Sequence, residues 1–133
     1  MSLIVDTNVL LRAMISDHQI ESPQAQELLA SNEIVISNQT FCEVVWVLRR
    51  LYKRRQAELI QAIQTWMEVE NVVIDRAAVE AGLAFLKAGG DFADGIIEFE
   101  GRRLGGERLA TFDRQAAAIV RSKGREVLLL GSD

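Results

Sequence analysis

Four carboxylates of this chain stand in apolar company. Asp6 follows the run Leu3-Ile4-Val5, and Glu43 is almost the only charge in Thr40-Phe41-Cys42-Glu43-Val44-Val45-Trp46-Val47-Leu48. Asp94 lies in Phe92-Ala93-Asp94-Gly95-Ile96-Ile97, and Asp113 in Ala110-Thr111-Phe112-Asp113. Acids that converge on one pocket repel one another, and their pKa values rise unless a cation neutralises them. A single cysteine, Cys42, and a single histidine, His18, exclude an intrachain disulfide and a zinc site of three or four Cys/His ligands. They also exclude a nuclease that uses two histidines as acid and base. Hard oxygen ligands without His or Cys point to Mg²⁺, with Mn²⁺ as the substitute.

Each acid also has a purely structural reading. Asp6 can form a turn by bonding its own backbone two residues on. Glu43, at about 100° per residue, falls away from the Phe41, Val45, Leu48, Tyr52 face, beside Trp46 and Val47 with Arg50 further along. It reads as a surface glutamate helped by Arg50 or, because the helix is apolar nearly all round, as a covered carboxylate needing a cation. Asp91 suits an N-cap, which puts Asp94 in a first helical turn where the dipole favours acids. Gly95 inside that helix costs about 1 kcal/mol relative to alanine, so it marks close backbone packing or room for a ligand. Glu98, one turn beyond Asp94, is a further ligand or, preferably, a partner for Arg102 at i+4. Asp113 can equally be a helix N-cap.

The elements that must position these acids alternate. Strands are expected over 3–5, 34–36, 72–74, 108–110 and 127–130, each a short apolar run. Between them, Ser22 is expected to cap a helix with Pro23 at its first position. Ser37 or Asn38 should cap a second helix that carries Phe41, Val44, Val45, Leu48, Leu51 and Tyr52 on one side. Further helices are expected over 56–69, from the cap Asp75 to Gly89-Gly90, over 91–104, and over 113–123 before Gly124. The alternation implies βαβ units, a parallel sheet and helices on both faces. Asp6 and Asp113 then share the carboxyl edge of that sheet, where open α/β folds bind ligands.

At 133 residues the chain is expected to be one domain, 1–133, and can bury roughly 70% of its unfolded surface. An apolar fraction of 49% beside 26% charged residues is that of a soluble globular protein. No run approaches the ~20 apolar residues of a membrane span, and the start Met1-Ser2-Leu3-Ile4-Val5-Asp6 lacks the regions of a signal peptide. A cytoplasmic location is therefore expected. The net charge of −4 disfavours a generic nucleic-acid coat, but not a nuclease.

Together Val5-Asp6-Thr7-Asn8-Val9-Leu10, the lone Glu43, Phe92-Ala93-Asp94 and Thr111-Phe112-Asp113-Arg114 resemble the PIN-domain ribonucleases, most closely the VapC-type toxins of bacterial toxin–antitoxin pairs. The likeness runs from Asp6 to the final strand in the family's order. It implies a PIN-like three-layer α/β/α sandwich with a short, mostly parallel sheet. It also implies a metal-dependent endoribonuclease leaving 5′-phosphate and 3′-hydroxyl ends, and a cognate VapB-like antitoxin that blocks the site. Carried over by position, Asp6, Glu43, Asp94 and Asp113 are the catalytic and metal-binding acids, with Asp6 and Asp94 foremost. Thr7, Asn8 and Thr111 match polar positions that orient those acids or a water. The chain departs from the pattern at Gly95, where alanine is more usual, and at Gln115, where some members carry another acid.

Residues 49–55 hold five cations in seven positions: Arg49, Arg50, Lys53, Arg54 and Arg55. They can guide an RNA backbone or simply solvate a helix end; Arg102 and Arg103 are weaker candidates. Trp46, Tyr52 and Trp66 can stack on bases, although aromatic residues at helical spacing usually belong to a core or interface. The surplus around Trp46 and Trp66 suggests a homodimer or antitoxin surface. His18 is given no catalytic part. Two other classes compete: a PIN-like module that binds RNA or protein without cutting, and a receiver-type phosphoacceptor. A receiver wants paired acids near the first strand and a lysine after the last, and Leu128-Leu129-Leu130-Gly131-Ser132-Asp133 has none. A haloacid-dehalogenase-like phosphatase wants an aspartate where Asn8 stands.

Overall fold

The computed structural model describes residues 2–131; Met1, Ser132 and Asp133, used above in reading the chain ends, lie outside them. The chain divides into two compact units, Met1–Arg76 and Ala77–Asp133.

The first unit runs β1 (Ser2–Ile4), α1 (Thr7–Met14), α2 (Glu21–Ser31), β2 (Glu33–Val35), α3 (Asn38–Arg50), α4 (Gln56–Glu68) and β3 (Val72–Val73). The strands pair in parallel in the order β1-β2-β3, with Leu3 opposite Ile34 and Ile34 opposite Val72. They start one residue earlier than expected at β1 and β2. The ladder still continues past their ends, through Val5 N–H to Val35 O (3.3 Å) and Ile36 N–H to Val73 O (3.0 Å). Val5, Ile34 and Ile36 are buried.

Helix α1 has no counterpart in the sequence expectation. Its signals are Asp6 as N-cap and apolar residues at Val9, Leu10, Ala13 and Met14, with Leu10 fully buried. Ser22 does not cap α2, which begins one residue before it. The hydroxyl of this buried serine donates to Ile15 O (3.0 Å), and His18 Nδ1 takes the capping role by accepting from Glu21 N–H (3.0 Å). Pro23 is tolerated because the first turn needs no partner for its missing N–H. Ser37 caps α3 as expected, accepting from Thr40 N–H. Phe41, Val44, Val45 and Leu48 form the buried face, each worth about 1.5–3 kcal/mol relative to exposure. Leu51 leaves that face and is 67% exposed, because α3 stops at Arg50 and Lys53 turns the chain at φ 54°.

The remaining elements are α5 (Arg76–Lys87), α6 (Phe92–Arg103), β4 (Leu109–Thr111), α7 (Arg114–Ser122) and β5 (Val127–Leu129). Strands β4 and β5 are parallel, with Leu109 opposite Val127. Phe85, Ala116, Ile119 and Val120 make the core beneath them, joined by Leu109 and Val127. Gly95 has a packing reason: a Cβ there would lie 2.6 Å from Ala81 O and 2.8 Å from Gly82 Cα. Helices α5 and α6 therefore touch backbone to backbone, and the glycine leaves no room for a ligand.

The α/β class, with parallel strands alternating with helices, is as expected. The strands form two hydrogen-bonded sets, β1-β2-β3 and β4-β5. Asp6 follows the carboxyl end of a strand in the first set, and Asp113 that of a strand in the second. No helix among the described residues is long and apolar enough to cross a membrane.

Candidate functional site

In the first unit, the turn from β1 into α1 presents Asp6, Thr7 and Asn8. Asp6 Oδ1 accepts from Val9 N–H at 3.0 Å, which fixes the carboxylate at the head of α1. Its other oxygen has no protein donor among the described residues. Thr7 reaches across to α3 and donates its hydroxyl to Glu43 Oε1 at 2.6 Å, while Gln39, one turn back on α3, donates to Glu43 Oε2 at 3.1 Å. Glu43 is exposed rather than covered, because the side of α3 away from Phe41 and Leu48 faces solvent. The Thr7 hydroxyl first, and the Gln39 amide second, hold its carboxyl below its ordinary value. Desolvation and the nearby Asp6 charge oppose them. Arg50, the partner suggested by sequence, makes no ion pair with it among the described residues.

The second unit holds another acidic set. Asp91 caps α6, accepting from Ala93 N–H at 3.2 Å, and Asp94 lies in the first turn as expected. Asp113 caps α7 through one oxygen, which accepts from Gln115 N–H (2.8 Å) and Ala116 N–H (3.1 Å). Thr111 Oγ1 accepts from Asp113 N–H at 3.0 Å and so steadies that turn. Asp94 is half-buried and has no protein donor among the described residues. Burial pushes its carboxyl above its ordinary value, and repulsion from Asp91 and then Asp113 adds to the shift.

Glu98 is a structural acid. Its buried carboxylate takes Arg102 Nε at 2.8 Å and Arg125 through Nε (2.9 Å) and Nη2 (2.8 Å). Burial alone would raise its pKa, but the hydrogen bonds from Arg125 and Arg102 and their charges outweigh it, and the net shift is downward. The Arg102 pairing at i+4 is the one read from spacing. Arg125, 27 residues away, carries no local signal.

Arg49, Arg50, Lys53, Arg54 and Arg55 are all exposed, and among the described residues none of them makes an ion pair. An open groove of about 870 Å³ lies along α1 and α2, lined by Asp6, Val9, Arg12, Pro23, Ala25 and Leu28 among others. Arg12 there is held by Glu21 at 2.8 Å. Trp46 is 57% exposed, whereas Trp66 is half-buried with its Nε1 3.3 Å from Met14 Sδ.

Sequence reasoning missed Gln39 and Arg125 as partners of acids. The i−4 spacing of Gln39 from Glu43 was available as a signal. Among the described residues no three His, Cys, Asp or Glu side chains are close enough to hold a metal ion. The donor chemistry still fits a hard divalent cation: Asp6 and Asp113 each keep an oxygen free of protein donors, and the undonated Asp94 is under repulsion that a cation would relieve.

The PIN domain family matches residues 3–121, a span that includes all four acids. No curated protein matches the chain.

Proposed function

The chain belongs to the PIN-domain family, and from that premise we propose that it is a metal-dependent endoribonuclease hydrolysing RNA phosphodiesters, the toxin of a toxin–antitoxin pair. PIN domains are generally metal-dependent nucleases. The observation that carries the reading in this chain is Asp94, a half-buried carboxylate without a protein donor among the described residues, pushed upward by burial first and by Asp91 and Asp113 after it. A carboxylate with only a structural task is normally given donors, as Glu98 is.

Asp6, Glu43, Asp94 and Asp113 would hold Mg²⁺ or Mn²⁺, the support being a family match that is continuous through all four. Such a cation supplies a lowered pKa for water, in-line orientation toward the phosphodiester, and charge to offset the transition state. The chain's own residues prepare for this. Thr7 and Gln39 keep Glu43 ionised, and the Val9 N–H orients Asp6. The Gln115 and Ala116 N–H groups do the same for Asp113. The exposed cations of residues 49–55 draw the RNA backbone toward a protein whose net charge would otherwise repel it. Attack by water needs no 2′-hydroxyl, so selectivity for RNA lies in binding. The groove along α1 and α2, which is lined by Asp6, supports the antitoxin part of the reading: an apolar partner segment seated there would cover that carboxylate.

The test is incubation with a panel of RNAs plus Mg²⁺ or Mn²⁺, with cleavage sites and end chemistry mapped. Products with 5′-phosphate and 3′-hydroxyl ends are expected, and EDTA should abolish them. Asp6→Asn should do so too while the far-ultraviolet dichroism stays unchanged, since asparagine is as good an N-cap as aspartate. Continued cleavage by well-purified Asp6→Asn protein overturns the mechanism.

A further inference from the structure

Along α3, Gln39, Glu43, Trp46 and Arg50 follow one another at helical spacing on the side opposite the buried Phe41, Val44 and Leu48. All four are exposed, Trp46 by 57%. Glu43 to Arg50 spans about 10 Å at the helical rise, a distance of a few nucleotides. The chain then turns at Lys53 and presents Lys53, Arg54 and Arg55, which with Arg49 and Arg50 lack ion-pair partners among the described residues.

We propose that this face of α3 is a track for single-stranded RNA, in which Trp46 stacks one base between the carboxylate of Glu43 and the phosphate-binding cations Arg50 and Lys53. The track rests on the nuclease reading only in taking Glu43 as the end where the chemistry occurs. An exposed indole flanked by unpaired cations matches the two faces of a single strand, a flat apolar base and a charged phosphate. Charge decides against a second copy of this chain as occupant. A two-fold contact sets residue i against residue j, so Glu43 is the single acid that a second copy would offer from this face to five cations, whereas a phosphate backbone neutralises each of them.

The measurement is binding of a short fluorescein-labelled single-stranded RNA in EDTA, where no cleavage intervenes, with a duplex of the same sequence as control. In a Trp66→Phe background, where Trp46 is the sole indole, RNA should quench the tryptophan emission. Trp46→Ala should weaken binding about tenfold, since stacking on an aromatic residue contributes ~1–3 kcal/mol per base. Trp46→Phe, which keeps a π-face, should retain most of the affinity. Arg50→Ala should weaken binding and flatten the dependence of log K on log salt by roughly 0.7.

Unchanged affinity in Trp46→Ala, or equal affinity for duplex and single strand, overturns the track. So does a parent dimer that Trp46→Ala converts to a monomer with the same RNA affinity per protomer, which would assign the face to a second copy. Trp46-dependent binding without cleavage under any metal would sink the nuclease reading alone. Cleavage with Trp46-independent binding would sink the track alone.

Discussion

One turn of α6 separates two acids with opposite fates. Glu98 is closed to solvent and Asp94 partly so, yet the Glu98 carboxyl is shifted down and that of Asp94 up. Burial acts in the same direction on both, so the difference lies in their partners. Two arginines supply three hydrogen bonds to Glu98, while Asp94 meets the negative charges of Asp91 and Asp113 and no donor among the described residues. Spacing alone treats these residues as equivalent, each an acid on an amphipathic helix. The partners distinguish a charge held for stability from one kept in an unfavourable state, and the second kind marks functional sites.

The largest expected effect comes from removing the unfavourable charge. Asp94→Asn should lower RNA cleavage by about 10³-fold, which corresponds to ~4 kcal/mol of barrier. The same change should raise the melting temperature of the metal-free protein near neutral pH. A carboxyl whose folded pKa is raised contributes stability that is complete below its unfolded value and lost as pH rises through the folded one. Asparagine escapes that loss, so the gap between variant and parent should close in acid. Thermal melts in EDTA across that range check it, and a variant that melts below the parent at neutral pH would remove the basis of the comparison.

Much of this is legible in the sequence, and the chief omissions are contacts between residues far apart along the chain. All five strands could be placed because each is a short apolar run bounded by turn residues, and the caps Ser37 and Asp91 fell where expected. The acids could be named from their apolar surroundings. Their partners could not, because Thr7 meets Glu43 across 36 residues and Arg125 meets Glu98 across 27. Local pattern leaves Glu43 readable either as a surface glutamate or as a covered carboxylate, and the exposure of Trp46 beside it shows that this side of α3 is not part of the core. Local rules also competed at α2. Ser22-Pro23 has the residue types of a helix start, yet the buried Ser22 hydroxyl is engaged by Ile15 O and His18 caps instead.

The favourable side of the comparison breaks at Arg125. Arg125→Ala should cost about 2 kcal/mol in urea unfolding, because a buried carboxylate loses its two-point partner. Arg102 remains, and both arginines are partly solvated, which keeps the cost below that of a fully buried pair. The pH dependence follows from the downward shift of Glu98. Its contribution is present above the unfolded carboxylate value and lost as pH falls through the lower folded value. The variant should therefore begin to unfold at a less acidic pH than the parent. Arg125→Lys should recover only part of the difference, since an ammonium does not reproduce the paired Nε and Nη2 contacts. Identical acid transitions in all three proteins would mean that Glu98 owes little to Arg125.

The smallest effect isolates charge from capping at Asp91. Serine is an equally good N-cap, so Asp91→Ser should keep the bond from Ala93 N–H and leave stability nearly unchanged while removing one negative neighbour of Asp94. The Asp94 carboxyl should then titrate closer to its ordinary value, although still above it, because burial is the larger cause and remains. Asp91→Ala should move Asp94 in the same direction but also cost about 1 kcal/mol through the lost cap. Side-chain carboxyl resonances of the metal-free protein followed by NMR through the acid range separate the two. If Asp91→Ser leaves Asp94 where it was, the upward shift belongs to burial, with Asp113 the one acid left to add to it. Burial is something Glu98 shares, so the contrast along α6 would then rest mainly on the arginines.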